Sequence, residues 1–390
     1  MTRLARRLAD IAPFRVMEVL SRARALEAAG RSIVHMEIGE PDFPTAAPIV
    51  AAANAALAAG HTHYLPALGL DALRAAVAES YPPGARPAPE DVVITPGASG
   101  ALLLALAALV NPGDQVLVAD PGYPCNRHFV RLLEGEPVAV RVGPASGYQL
   151  TAELVRAHWT PRTVAVLVSS PSNPTGTLVP DDEMARIARA VAELGGTLIV
   201  DEIYHGLTYG SDAVSVLAHT RDAFVVNSFS KYYGMTGWRL GWLVVPRAYR
   251  TAIEKLAQNV FIAASTPAQH AALAAFTPEV RAELERRRAI FRERRDYLLP
   301  ALQALGFVVP VVPGGAFYIY ADCSRFTDDS ARFAFDLLER AGVAITPGAD
   351  FGEHESRRYV RFSYATALEN LQEGVRRIGA ALAEFGRSSV

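Results

Sequence analysis

Short apolar runs recur through the middle of the chain. VVIT (92–95), QVLVAD (115–120), VAVLVSS (164–170), TLIVDE (197–202), AFVVNSF (223–229) and LGWLVV (240–245) are rich in β-branched residues and nearly free of charge. Strands covered by helices on both faces read this way. Between two of them, PDDEMARIARAVAEL (180–194) changes period. Met184, Ile187, Val191 and Leu194 recur at helical spacing, acidic residues fill the first turn, and Gly195-Gly196 ends it. Strand, crossover helix, strand predicts an α/β fold with a mostly parallel sheet.

The texture changes near residue 278. PEVRAELERRRAIFRERRDYLLPAL reads as one long charged helix, followed by the isolated apolar runs FVVPVV and AFYIYA. A helix-like ARFAFDLLERAG and an edge segment from Val343 to Thr346 come next. This pattern predicts a smaller α+β domain, formed by 1–40 together with 281–390. Residues 41–280 then make the large domain.

Composition narrows the class. Apolar residues make up 51% and charged residues 20% of 390, which suits a compact body with a sizeable core. Lysine plus arginine (38) nearly balance aspartate plus glutamate (40), so no global field steers the chain to nucleic acid. ALLLALAALV (101–110) is well short of the roughly 20 residues that span a bilayer. Cys125 and Cys323 form no metal spacing, and reduced thiols in a cytoplasmic protein are the expectation. His61, His63 and His205 lack company at metal-ligand spacing, so no metal is expected.

The candidate chemistry lies at strand ends. TPGASGAL follows VVIT, DPGYP follows QVLVA, SSPSNPTG closes VAVLVSS, DEIYHG ends TLIV, and SFSKYYGMTGWRLG ends AFVVN. Open parallel sheets bind ligands outside the carboxyl ends of their strands. Together with GEPDFPT (39–45), HYLPALGLDALRAAVA (63–78), NPGDQVLVADPGYP (111–124), PGGAFY (313–318) and VRFSYA (360–365), these segments resemble the class I aminotransferases. Those are pyridoxal-phosphate (PLP) enzymes of fold type I, the aspartate aminotransferase-like superfamily. The resemblance covers nearly the whole chain in order and spacing.

The resemblance implies roles for particular residues. Lys231 would carry PLP as a Schiff base and, once displaced by substrate, act as a base on the α-carbon. Ser228, Ser230 and Arg239 match phosphate ligands, the guanidinium through paired hydrogen bonds. Ala98 and Ser99 would add amides at a helix N-terminus. Tyr64 matches a tyrosine sent across a homodimer interface to the partner's phosphate. Asp201 would pair with the pyridine nitrogen, and Asn173 and Tyr204 with the ring 3-oxygen, while Tyr123 stacks on the ring. Arg361 and the amide of Gly39 would hold the substrate α-carboxylate, with Asn173 beside them.

The function so implied is ping-pong transfer of an amino group from an L-amino acid to a 2-oxo acid, catalysed chiefly by Lys231, Asp201 and Tyr204. A PLP-dependent carbon–sulfur β-lyase on the same scaffold is the nearest alternative. A non-catalytic PLP-binding regulator is another, although only about 40 residues precede the large domain, too few for a winged helix-turn-helix. The side-chain pocket is expected to be neutral, lined by Phe14, Met17, Ile38, the Leu65-Pro66 turn, and Tyr318 or Tyr320. Arg15 and Arg325 are the cations that would alter that expectation.

Overall fold

The computed structural model describes residues 4–210 and 212–385. Its strands, in chain order, are β1 (Val34–His35), β2 (Val92–Thr95), β3 (Gln115–Asp120), β4 (Glu136–Arg141), β5 (Thr163–Ser169) and β6 (Thr197–Asp201). They continue with β7 (Ala223–Ser228), β8 (Gly241–Val244), β9 (Tyr318–Asp322), β10 (Val343–Ala344), β11 (Thr346–Pro347) and β12 (Tyr359–Ser363). Seven of them form one sheet in the order β2-β8-β7-β6-β5-β3-β4. Neighbours pair parallel except β8, which runs antiparallel to both β2 and β7. Apolar residues on both faces of this sheet enter two buried clusters, one around Leu117, Val166 and Val225 and one around Val116, Leu167 and Phe224. This is the α/β architecture that the uncharged runs predicted.

The lone antiparallel strand matters for the site. Because β8 returns beside β7, the residues just before it arrive at the edge where β7 ends. Ser228 and Thr95 both stand opposite Gly241 in the register. A Cβ on Gly241 would lie 2.8 Å from the Gly97 carbonyl carbon and 2.9 Å from the Ala98 nitrogen. Glycine thus lets β8 start directly under the helix Gly97–Leu109.

A smaller domain accompanies the large sheet. Its three-stranded antiparallel sheet has the order β11-β12-β9, and β1 pairs parallel with β10. Alternation sorts β12: Val360 and Phe362 enter a core with Ile319 and Ala321, while Tyr359 and Arg361 take the other face. The long charged segment forms the helix Pro278–Leu305, capped by the Thr277 side chain and by left-handed Gly306. The crossover helix is Asp181–Glu193, with Gly195 at φ 74° beyond its end.

Some elements differ from the sequence reading. FVVPVV forms no strand and contributes only an isolated bridge between Val308 and Asp322. The segment from Val343 to Thr346 divides between two sheets. ARFAFDLLERAG is α-helical over Ser330–Asp336 and π-helical over Leu337–Ala341. No described helix is long and apolar enough to cross a membrane.

Candidate active site

One cavity of about 520 Å³ collects most of the candidate residues at the carboxyl edge of the large sheet. Ala98, Ser99, Tyr123, Asn173, Asp201, Tyr204, Ser230, Lys231 and Arg239 all line it, as do Gly39 and Arg361 from the smaller domain's side. The topology explains this convergence. Each of β2, β3, β5, β6 and β7 delivers its following loop to one edge, and the β7–β8 return delivers Arg239 to the same place.

At one end, the helix Gly97–Leu109 directs its first amides into the cavity, where the helix dipole favours an anion. Gly97 sits at φ +70°, and a Cβ there would lie 2.6 Å from Nη2 of Arg239. The guanidinium therefore rests against a turn that only glycine leaves open. Its Nη1 donates to the Thr236 carbonyl at 2.9 Å, and Arg239 itself holds φ 53°. Ser230 contributes its hydroxyl. Ser228 stands behind: its Oγ lies 2.8 Å from Oγ of Ser230 and 3.0 Å from the Leu240 carbonyl, so it orients Ser230 without lining the cavity.

Elsewhere in the cavity, Asp201 is buried with no cation within ion-pair distance among the described residues. Among the described residues its carboxylate accepts one hydrogen bond, from the Ile203 amide at 3.1 Å. Burial raises its pKa to about 7, with neighbouring Glu202 adding to the effect and Lys231 opposing it. A protonated ring nitrogen would satisfy this carboxylate. The Lys231 amine donates to the Gly39 carbonyl at 2.5 Å, and burial lowers its pKa to about 8. The charges of Arg361 and Arg239 lower it further, while Glu40 and Asp201 oppose them.

Arg361 is 2% exposed and has no carboxylate partner among the described residues. Its Nη1 donates to Oδ1 of Asn173 at 2.8 Å, and its Nη2 to the Glu37 carbonyl and to Oγ1 of Thr346. Its Nε has no hydrogen-bond partner among the described residues. The guanidinium lies over the Tyr318 ring at 4.2 Å and the Phe351 ring at 4.9 Å. A buried charge held by neutral groups leaves room for an anionic ligand. The Asn173–Arg361 contact also fixes the amide so that its Nδ2 remains a donor.

The donors fit a flat, anion-bearing aromatic cofactor: an anion cradle at Gly97, Ser230 and Arg239, an unpaired carboxylate at Asp201, and a lysine amine of lowered pKa. The family model described as "Aminotransferase class I and II" matches residues 31–378. The chain belongs to that family. It is an enzyme of the PLP-dependent aminotransferase superfamily, with the fold type I architecture. It is 43% identical to the valine–pyruvate aminotransferase of Mycobacterium tuberculosis, over 96% of this chain and 97% of that one. With the aspartate/prephenate aminotransferase of Thermus thermophilus it shares 38%, over 97% and 98%. A crystal structure of an aminotransferase from Mycobacterium tuberculosis superposes with TM-score 0.95 at 42% identity, covering 98% of this chain and 100% of that one.

Other sequence candidates fall outside the cavity. Tyr64 is 81% exposed, and the Leu65-Pro66 turn does not line it. Tyr320 is a core residue, stacked on Tyr359 at 4.7 Å, whereas Tyr318 does line the cavity. Arg15 borders a neighbouring cavity of about 660 Å³, and Arg325 packs near Gly306. The sequence reading passed over Leu20 and Arg24. Both line the cavity from the helix Arg15–Ala28, where Met17, Leu20 and Arg24 share one face and Val16, Val19, Ala23 and Leu26 are buried. That i, i+3, i+7 spacing was the available signal.

Proposed function

We propose that this protein transfers an amino group from an L-amino acid to a 2-oxo acid in two half-reactions at one site, with PLP bound through Lys231. The observation that carries the reading is electrostatic. Among the described residues, a buried arginine without a carboxylate and a buried carboxylate without a cation border the same cavity as a lysine whose pKa is lowered to about 8. Each needs a partner that substrate or cofactor would supply. When bound, PLP supplies the electron sink for charge released at the substrate α-carbon.

The chain's own groups do the rest. Arg361, with the Gly39 amide, holds the α-carboxylate and so sets which α-bond faces the cofactor. Lys231 takes the α-proton and, with PLP bound, would return it to the cofactor carbon on the far side of the amino nitrogen. With PLP bound, Asp201 would keep a proton on the ring nitrogen, Tyr204 and Asn173 would hold the ring oxygen, and Tyr123 would cover the ring face. Production of ammonia and pyruvate from a cysteine conjugate without any oxo acid would instead point to the β-lyase alternative.

The amino donor in this proposal has a neutral side chain. Phe14, Met17, Leu20 and Ile38 form the apolar wall of the cavity, and Arg24, on the same helix face as Met17 and Leu20, is the cation that an acidic side chain would have to use. The similarity to a valine–pyruvate aminotransferase agrees. We expect kcat/KM for leucine, methionine, phenylalanine or alanine to exceed that for aspartate, with one fixed oxo-acid acceptor. A preference for aspartate over every neutral donor by more than about tenfold, or ~1.4 kcal/mol, would sink this assignment. Arg24 at the cavity wall would then be the residue to replace.

The active unit in this proposal is a homodimer. Tyr64 is a large aromatic left 81% exposed, and its role requires a second copy against which it can pack. Sedimentation of the PLP-loaded protein at micromolar concentration should give a dimer or a multiple of it. Tyr64→Phe should loosen cofactor retention without dissociating the assembly. A fully active monomer would contradict both the pairing and the tyrosine's role.

A further inference from the structure

We infer that Tyr318 is a positioning residue that joins the carboxylate-binding arginine to the ring-oxygen side of the cofactor site, its hydroxyl acting through Tyr204 and its ring through Arg361. The inference rests on the roles proposed above for Tyr204 and Arg361.

Tyr318 begins β9 and is 1% exposed as a residue, yet it borders the cavity. Antiparallel pairing sets Arg361 opposite Tyr320, which makes Tyr318 the diagonal neighbour on the same face. That register places the guanidinium 4.2 Å from the Tyr318 ring centre. The hydroxyl lies 2.9 Å from the Tyr204 hydroxyl. From another side it is confined by Gly39, where a Cβ would lie 2.4 Å from it. The same glycine's carbonyl accepts from Lys231. One side chain therefore touches Arg361 and Gly39, assigned to the carboxylate, and Tyr204, assigned to the ring oxygen.

Proton counting gives the hydroxyl its direction. A phenol has one proton to donate. When Tyr204 donates into the cavity, the Tyr204–Tyr318 bond persists only if Tyr318 donates to the Tyr204 oxygen. A donor behind a donor strengthens the outer bond. With PLP bound, Tyr204 would then draw more charge from the cofactor's ring oxygen, which would support a proton on the nitrogen joined to Lys231 less well. That proton would leave at lower pH than it would without Tyr318.

The test is a pH titration of the visible absorption band of the PLP-loaded protein. Tyr318→Phe removes one oxygen and keeps the ring. It should raise the titration midpoint by about half a pH unit, while Tyr204→Phe raises it more. In the Tyr204→Phe background, Tyr318→Phe should add nothing. Binding of 4-methylpentanoate, a carboxylate without an amino group, should change less than about twofold in Tyr318→Phe. It should weaken about fivefold in Tyr318→Leu, which takes the ring from under Arg361. A midpoint that moves in Tyr204→Phe but not in Tyr318→Phe overturns the coupling and leaves the cofactor assignment standing. A Tyr318→Phe shift that persists without the Tyr204 hydroxyl overturns the route through Tyr204. If neither variant moves the midpoint, the placement of Tyr204 against the cofactor fails as well.

Discussion

Lys231→Ala is expected to lower the transamination rate by roughly 10³- to 10⁴-fold, because one substitution removes both the cofactor anchor and the group that moves the α-proton. Borohydride reduction of the wild-type holoenzyme should leave the phosphopyridoxyl mass on the peptide containing Lys231, and the variant should show none. A small added amine should restore part of the variant's rate, since it can stand in as base. The lysine's environment adds a pH signature. Burial, then the positive charges of Arg361 and Arg239, lowers the Lys231 pKa to about 8, and the neutral amine is the nucleophile. Below about pH 8 the rate at which the PLP-free protein captures cofactor should rise with pH, close to tenfold per unit at the low end. Above it the rate should level off. A variant that transaminates at the wild-type rate would rule the assignment out.

The large domain was legible because burial on both faces writes itself into sequence as uncharged β-branched runs, and β2, β3 and β5 to β8 lie where such runs stand. β4 was not, because EPVAVR sits at the sheet's edge, begins and ends with charge, and buries only Val140. β1 was missed for another reason: two residues carry no period, and pairing with β10 is decided by tertiary contact. The site divides in the same manner. Loops after strands announce themselves through glycine, hydroxyl and charge, and the family resemblance singled out Lys231, Asp201 and Arg239 within them; all three line the cavity. Ser228 illustrates what spacing omits. Its hydroxyl is turned to Ser230 and Leu240, an orientation fixed by the β7–β8 return and not by its place in the motif. Arg24 escaped notice because the helix Arg15–Ala28 lies far along the chain from the strand ends, and only the folded helix shows which face meets the cavity.

Arg361→Gln should lower kcat/KM for every α-amino acid by roughly 10²- to 10³-fold, the cost of losing one partner of a buried, hydrogen-bonded charge pair. KM should carry more of the loss than kcat, because the carboxylate is held in both ground and transition states. Arg361→Lys should recover little of it. The site presents a planar fork clamped between Asn173, the Glu37 carbonyl and Thr346, and a lysine ammonium cannot fill those contacts and pair a carboxylate as well. Stability separates this role from a structural one. Without ligand, Arg361 is a buried charge with an unsatisfied Nε, no carboxylate in reach among the described residues, and Tyr318 and Phe351 as its aromatic neighbours. Replacing it with a neutral amide relieves that burial, so the melting temperature of the PLP-free variant should equal or exceed that of the wild type. Ligand should then stabilise the two proteins unequally: 4-methylpentanoate should raise the melting temperature of the wild-type holoenzyme and leave the variant's unchanged. An amine without a carboxylate supplies the control, because wild type and variant should process it at similar, low rates. Retention of kcat/KM within threefold for leucine or phenylalanine, in a folded Arg361→Gln holoenzyme, would mean that the α-carboxylate is held elsewhere in the cavity.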